Sequence, residues 1–199
     1  MMGSSYVTNP IEFLINTLFG LYILLVMLRF LLAVVRADFY NPVSQFIVKA
    51  TNPPLKPLRR ILPSVGKLDT STLFLMLALQ MLSFTLIALL RGGSFSIGAL
   101  LILSVAELFS LFLNVLLFSI LIQVIISWIN PGTYNPAVSL LYSLTEPVLR
   151  PCRRLIPPIS GMDLSPLVAL IAIQLIKLLL LPPLYALDQY YGVLVSLAA

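Results

Sequence analysis

Residues 40–71 read YNPVSQFIVKATNPPLKPLRRILPSVGKLDTS, and residues 134–165 read YNPAVSLLYSLTEPVLRPCRRLIPPISGMDLS. Asn41-Pro42, Thr51, Pro53, Leu55, Pro57, Arg59-Arg60, Pro63, Asp69 and Ser71 recur as Asn135-Pro136, Thr145, Pro147, Leu149, Pro151, Arg153-Arg154, Pro157, Asp163 and Ser165. The shift is 94 positions throughout, without a gap, and it carries Gln80 onto Gln174 and Lys56 onto Arg150. Each copy lies between two long apolar runs. The chain therefore reads as one unit written twice: apolar span, ordered polar hairpin, apolar span. Residues 1–93 hold the first repeat and residues 94–199 the second. Repeats with two spans each have parallel orientation, so a pseudo-two-fold axis along the membrane normal is expected to relate them.

Composition places the chain in lipid. Hydrophobic residues make up 60% of it and charged residues 10%, against about 25% charged in a soluble domain. No basic region and small-residue cleavage site frame the first apolar run, so it reads as a retained helix rather than a signal peptide. Histidine is absent, which removes histidine bases and histidine metal ligands. The single cysteine, Cys152, stands where the first repeat has Leu58 and reads as a small packing residue. No glycine-rich phosphate loop, nucleophile elbow or metal-ligand cluster occurs. Neither an enzyme nor a cofactor is expected.

Four spans fit the apolar runs, given that a crossing needs about 20 apolar residues. They run from about Ile11 to Val35, Thr72 to Leu90, Ile97 to Ile129, and from Pro166 to an interruption at Pro182-Pro183. The third is long enough to tilt, kink or project. The tail from Leu184 to Ala199 reads as interfacial. The fold class is thus all-α integral membrane: four transmembrane helices as two parallel repeats. Four spans put both basic hairpins on one side, and the Lys/Arg excess assigns that side to the cytoplasm. The termini then lie outside. Nucleic acid is not an expected partner, because the basic clusters lack interleaved aromatics.

Within each hairpin, Asn41 and Asn135 are candidate helix N-caps with Pro42 and Pro136 at the first helical position. Val43, Phe46, Ile47 and Ala50, and then Ala137, Leu140, Leu141 and Leu144, follow helical spacing. That apolar face suits either the membrane surface or the protein's own spans. Pro53 and Pro147 are expected to stop these helices. The stretches from Leu55 to Pro63 and from Leu149 to Pro157 then read as stiff elbows. Each elbow carries a basic triplet, Lys56-Arg59-Arg60 or Arg150-Arg153-Arg154, suited to phosphate headgroups as well as to fixing topology. Ser71 and Ser165 are candidate caps of the even-numbered spans. Asp69 and Asp163 are candidate dipole partners and elbow locks through the arginine doublets.

Polar residues inside spans are functional candidates by default. They are Arg29 and its counterpart Gln123, the pair Gln80 and Gln174, Glu107 toward the outer end of the third span, and Lys177 in the fourth. The alternatives are a polar path, hydrogen bonds between helices, or snorkelling of Arg29 and Lys177.

The doubled pattern Asn-Pro … Pro-x-x-x-Pro-x-Arg-Arg … Pro … Asp-x-Ser resembles the YggT family, called YlmG in other lineages, in its two-repeat proteobacterial form. The resemblance implies a bacterial inner-membrane protein that supports osmotic-stress tolerance or ion homeostasis. It also implies an alternative role as a scaffold or assembly factor for membrane or cell-division complexes. Expected partners are the bilayer with its anionic phospholipids, and other membrane proteins or a second copy of the chain.

Overall fold

The computed structural model describes residues 5–62, 69–92, 96–129, 132, 135–155 and 163–191, with side chains from Thr8 to Ala186. Pro63, Lys67, Tyr134, Pro157 and residues 192–199 of the tail lie outside these. Among the described residues six helices follow one another: α1 (Ser5–Val34), α2 (Pro42–Ile61), α3 (Thr70–Leu90), α4 (Ile97–Ile129), α5 (Pro136–Leu155) and α6 (Ser165–Tyr191). Helices α1, α3, α4 and α6 are long and apolar enough to cross a bilayer. At about 1.5 Å per residue, the 33 residues of α4 exceed a hydrocarbon layer of about 30 Å. Helices α2 and α5 are amphipathic and join successive spans. The architecture is all-helical and multi-pass.

Pro53 and Pro147 do not end α2 and α5. α2 continues through Pro53, Pro54 and Pro57, and α5 through Pro147 and Pro151. The expected extended elbows are the last turns of continuous helices. Ser44, Ile47, Thr51 and Leu55 form one buried stripe across the proline region, and that packing outweighs the lost amide bonds. Pro53, Pro57, Pro147 and Pro151 lie on the exposed face, and the carbonyls they free belong to Lys49, Pro53, Ser143 and Pro147, outside the buried stripe. Pro54 frees the Ala50 carbonyl, which accepts a hydrogen bond from the Tyr22 hydroxyl at 3.4 Å. The buried stripe is also rotated from the one anticipated: Val43 and Phe46 are exposed.

Helix α6 likewise runs through Pro182-Pro183, correcting the expected interruption. These prolines free only the carbonyls of Leu178 and Leu179, close to the span end at Ala186. The proline φ is itself helical. At the end of α1, Arg36 adopts φ 53°. Its N–H bonds the Ala33 carbonyl at 3.2 Å, and the Ala37 N–H bonds the Leu32 carbonyl at 2.9 Å. This is a Schellman C-cap with an arginine in the left-handed position.

Within each repeat the two spans pack together, α1 on α3 and α4 on α6. The repeats join where α3 meets α4, so the spans form the order α1, α3, α4, α6. Among the described residues, helix α6 makes no contact with α1 or α3. A two-fold axis would copy the α3–α4 contact as an α6–α1 contact, so the expected pseudo-two-fold is not how these repeats meet. The connection from Leu90 to Ile97 is short and forces the end of α3 beside the start of α4. The surface helices obey the same asymmetry. Asn41 Nδ2 donates to the Pro136 carbonyl at 2.7 Å, and Asn135 makes no reciprocal bond among the described residues.

Candidate membrane-surface platform

Each connecting helix is fixed at three levels. The first is its N-terminus. Asn41 Oδ1 accepts the Val43 N–H at 2.9 Å with Pro42 at the first helical position. Asn135 Oδ1 accepts the Val138 N–H at 2.9 Å, ahead of a helix that opens with Pro136. A side-chain oxygen here satisfies an amide that has no partner within the helix.

The second level is a hydrogen bond from the preceding span. Arg29 of α1 is buried and points at α2. Its Nη1 donates to Thr51 Oγ1 at 2.7 Å and to the Val48 carbonyl at 3.2 Å. Thr51, fully buried, donates in turn to the Ile47 carbonyl at 2.7 Å. In the second repeat the hydroxyl of Thr145 shares its proton between Gln123 Oε1 and the Leu141 carbonyl, the latter at 2.9 Å. Arg29 and Gln123 are equivalent positions, as are Thr51 and Thr145. The contact is therefore a repeat feature made once with a cation and once with an amide. Arg29 does not snorkel, and among the described residues it has no carboxylate partner.

The third level is the lock to the following span. Arg59 Nε donates to Asp69 Oδ2 at 3.2 Å and its Nη2 binds the same oxygen. Arg153 Nε donates to Asp163 Oδ2 at 2.9 Å, and Arg153 Nη1 also holds Glu146 at 2.9 Å. Burial alone would raise the Asp69 pKa. The Arg59 and Thr72 hydrogen bonds and the Arg59 charge outweigh it and hold the carboxyl below the usual range. Asp163 is lowered in the same way, with burial opposed by the Ser165 hydrogen bonds and by Arg153.

The aspartates, not the serines, do the capping. Asp69 is the N-cap of α3 and accepts the Thr72 N–H. Asp163 Oδ1 accepts the Ser165 N–H at 2.9 Å. Ser71 and Ser165 lie inside the first helical turn and are fully buried. The Ser71 hydroxyl donates backwards to the Leu62 carbonyl at 2.7 Å, tying the end of α2 to the start of α3. An aspartate two residues earlier reaches the free amides first, which is why the serine is displaced from that role.

With Arg59 and Arg153 engaged, Lys56, Arg60, Arg150 and Arg154 remain exposed, without a hydrogen bond or ion pair among the described residues. A groove of about 490 Å³ runs along the outer side of α2 beside Lys49 and Lys56. A second cleft of about 240 Å³ lies between α1 and α2, lined by Arg29, Leu32, Ser44, Ile47, Val48 and Arg59 among others. Arg29 and Arg59 both line this cleft, and Asp69 pairs with Arg59.

The other polar residues close the opposite ends and the second repeat. Gln80 and Gln174 sit on helices that do not touch, and neither hydrogen-bonds among the described residues. They form no pair. Glu107 and Lys177 do not meet either. Lys177 Nζ donates to Asn114 at 2.6 Å and the Tyr185 hydroxyl donates to Glu107 at 3.0 Å, both across α4 and α6. Sequence reasoning passed over Glu12, which binds Arg91 through two hydrogen bonds of 2.8 Å each. Arg91 and Tyr185 are equivalent positions, so in each repeat an acid near the start of the first span grips the residue at the end of the second. Thr51 and Thr145 recur at the 94-residue shift, and the structure places both on the buried stripe. Their partners lie on another helix, beyond the reach of local spacing.

The family described as CCB3/YggT matches this chain twice, at residues 8–90 and 102–184. A Pseudomonas aeruginosa protein named uncharacterized protein PA0392 is 48% identical over 177 residues, covering 87% of this chain and 89% of that protein. A Vibrio alginolyticus protein, named only for the proC 3′ region, is 45% identical and covers 86% of this chain and 94% of its own length. The uncharacterized protein YggT of Escherichia coli K12 is 36% identical, covering 85% of this chain and 88% of that protein. No solved structure matches.

Proposed function

The chain belongs to the CCB3/YggT family, and we propose that it is a non-catalytic organiser of the bacterial inner membrane. In this reading the two pinned surface helices present exposed basic residues to anionic headgroups and to membrane-protein partners. Tolerance of osmotic stress is the physiological consequence. The observation that carries the reading is the use to which polar side chains are put. Arg29 and Gln123 are spent on holding α2 and α5 to the spans, while Lys56, Arg60, Arg150 and Arg154 are left on the surface. A conduction path would instead call on Gln80 and Gln174, whose helices are apart.

Complementation of a deletion strain separates the two. The deletion strain is expected to grow poorly at high osmolarity and to be rescued by the wild-type chain. Changing Lys56, Arg60, Arg150 and Arg154 to Gln leaves both aspartate locks in place and should abolish rescue. The Gln80→Ala/Gln174→Ala variant should rescue. The opposite outcome, with the membrane orientation of both variants checked, would replace the organiser by a conduit. Equal growth of parent and deletion across salt and sucrose series would remove the osmotic role.

A further inference from the structure

The second repeat holds its surface helix without a charge. Gln123, equivalent to Arg29, meets Thr145 through a neutral amide. Pinning α2 therefore requires no cation at this position, and a guanidinium placed there carries a desolvation cost that an amide avoids. Two neighbours change with it. Ser44 and Val48 stand where the second repeat has Val138 and Tyr142. Arg29, Ser44 and Val48 line one cleft of about 240 Å³ between α1 and α2, and Arg59 lines it too. Arg29 is 8% exposed and spends Nη1 on Thr51 and the Val48 carbonyl. Its Nε and Nη2, the edge of the fork that binds an oxyanion through two parallel bonds, make no hydrogen bond among the described residues. Ser44 is 5% exposed, and its hydroxyl is buried without a hydrogen-bond partner among the described residues. It lies in the first turn of α2, at the positive end of that helix dipole. Asp69 is spent on Arg59, so among the described residues no carboxylate pairs with Arg29.

We propose that this cleft binds one phosphate group, held by the Nε–Nη2 edge of Arg29 and the Ser44 hydroxyl, with the Arg59 charge beside it. Buried donors short of an acceptor are what an oxyanion completes, while Leu32, Ala33 and Ile47 wall the rest of the cleft with apolar side chains. Its volume is below the about 300–1,000 Å³ of sites for drug-sized ligands, which suits one small group. Arg29 stands less than two turns before the end of α1 at Val34, the depth at which headgroup phosphates lie. A phospholipid headgroup and inorganic phosphate present the same oxygens to such a site. None of Lys56, Arg60, Arg150 and Arg154 takes part, so the site does not depend on the organiser reading.

The test titrates the purified full-length chain, in detergent freed of phosphate and phospholipid, with sodium phosphate and separately with phosphatidylglycerol. Melting temperature is followed at equal ionic strength, with sodium chloride as the reference. At least one probe should raise it along a saturating curve. Arg29→Gln copies the second repeat and should weaken the apparent affinity for that probe by about tenfold or more, as expected for losing a two-point charged contact. Ser44→Ala removes no hydrogen bond from the empty chain. Its melting temperature without ligand should match wild type, while its affinity should fall by about threefold. A response to inorganic phosphate means that the free ion suffices, and a response to phosphatidylglycerol alone assigns the group to a lipid headgroup. A rise that sodium chloride reproduces is screening and overturns the proposal, as does no response to either probe. Equal affinity in wild type and Arg29→Gln also overturns it. If Arg29→Gln does not fold, equal affinity in wild type and Ser44→Ala decides against it.

Discussion

Arg29 and Gln123 show how far a residue's role depends on what it touches rather than on its type. Both reach a threonine on the surface helix, 22 positions later. A neutral amide serves in the second repeat, so Arg29→Gln is expected to change thermal stability in detergent by less than about 1 kcal/mol. Thr51→Val is different: it leaves a buried guanidinium short of a partner and should cost about 1–3 kcal/mol. Thr145→Val, facing an amide, should cost less. Equal losses in the two threonine variants would show that charge adds nothing at this contact. The aspartate locks set a pH dependence. Asp69 and Asp163 have folded pKa values held low, so the unfolded chain takes up protons first as pH falls. Their contribution should be complete above about pH 5 and be lost as pH drops below about 4, through the folded values. Asp163 is the more exposed of the two and should contribute less. A melting-temperature series should show a shallower acid limb for Asp69→Asn/Asp163→Asn than for wild type. At this scale the sequence made Asn41, Asn135 and the Arg–Asp combinations readable, because caps and locks act over a few residues. Glu12 with Arg91 was hidden, since the partners are 79 positions apart.

The elements α2 and α5 teach a rule about proline. Read locally, Pro53 and Pro147 are helix stops. In the folded chain they lie on the exposed side of helices whose other side is locked down by Thr51, Leu55, Thr145 and Leu149. What proline removes is one amide donor each, and the exposed face has other donors to offer. Spacing alone did not reveal this, because the deciding energy comes from packing against α1 and α4. The straightened helices carry Lys56 and Arg60 along one exposed side and Arg150 and Arg154 along the other. Each basic residue near an anionic leaflet is worth about 1 kcal/mol. Changing these four to Gln should therefore reduce the anionic lipid that stays with the purified protein, read by native mass spectrometry. The locks at Asp69 and Asp163 are untouched in that variant, so a loss cannot be assigned to a loosened platform. Unchanged lipid retention would reduce these charges to topology signals.

At the scale of the whole molecule, the repeat was legible and the way its copies meet was not. A 94-residue shift identifies two equivalent units but carries no information about which faces join; the short connection before Ile97 and the α3–α4 packing decide that. The four-span layout, by contrast, follows from the apolar runs, and it bears directly on orientation. The cationic residues Arg36, Lys49, Lys56, Arg59, Arg60, Lys67, Arg150, Arg153 and Arg154 fall on the connections between the first and second spans of each repeat. On the opposite side stands Arg91, and Glu12 neutralises it through two hydrogen bonds. The contact from Asn41 to Pro136 keeps the two connections on one face. The side that holds the unneutralised Lys/Arg excess is retained in the cytoplasm, so both termini should lie in the periplasm. A reporter fused after Ala199 should be active only if its periplasmic form is used, and one inserted after Arg154 only if its cytoplasmic form is used. If the two fusions read the other way round, the surface helices face outward, and contact with the anionic cytoplasmic leaflet is ruled out.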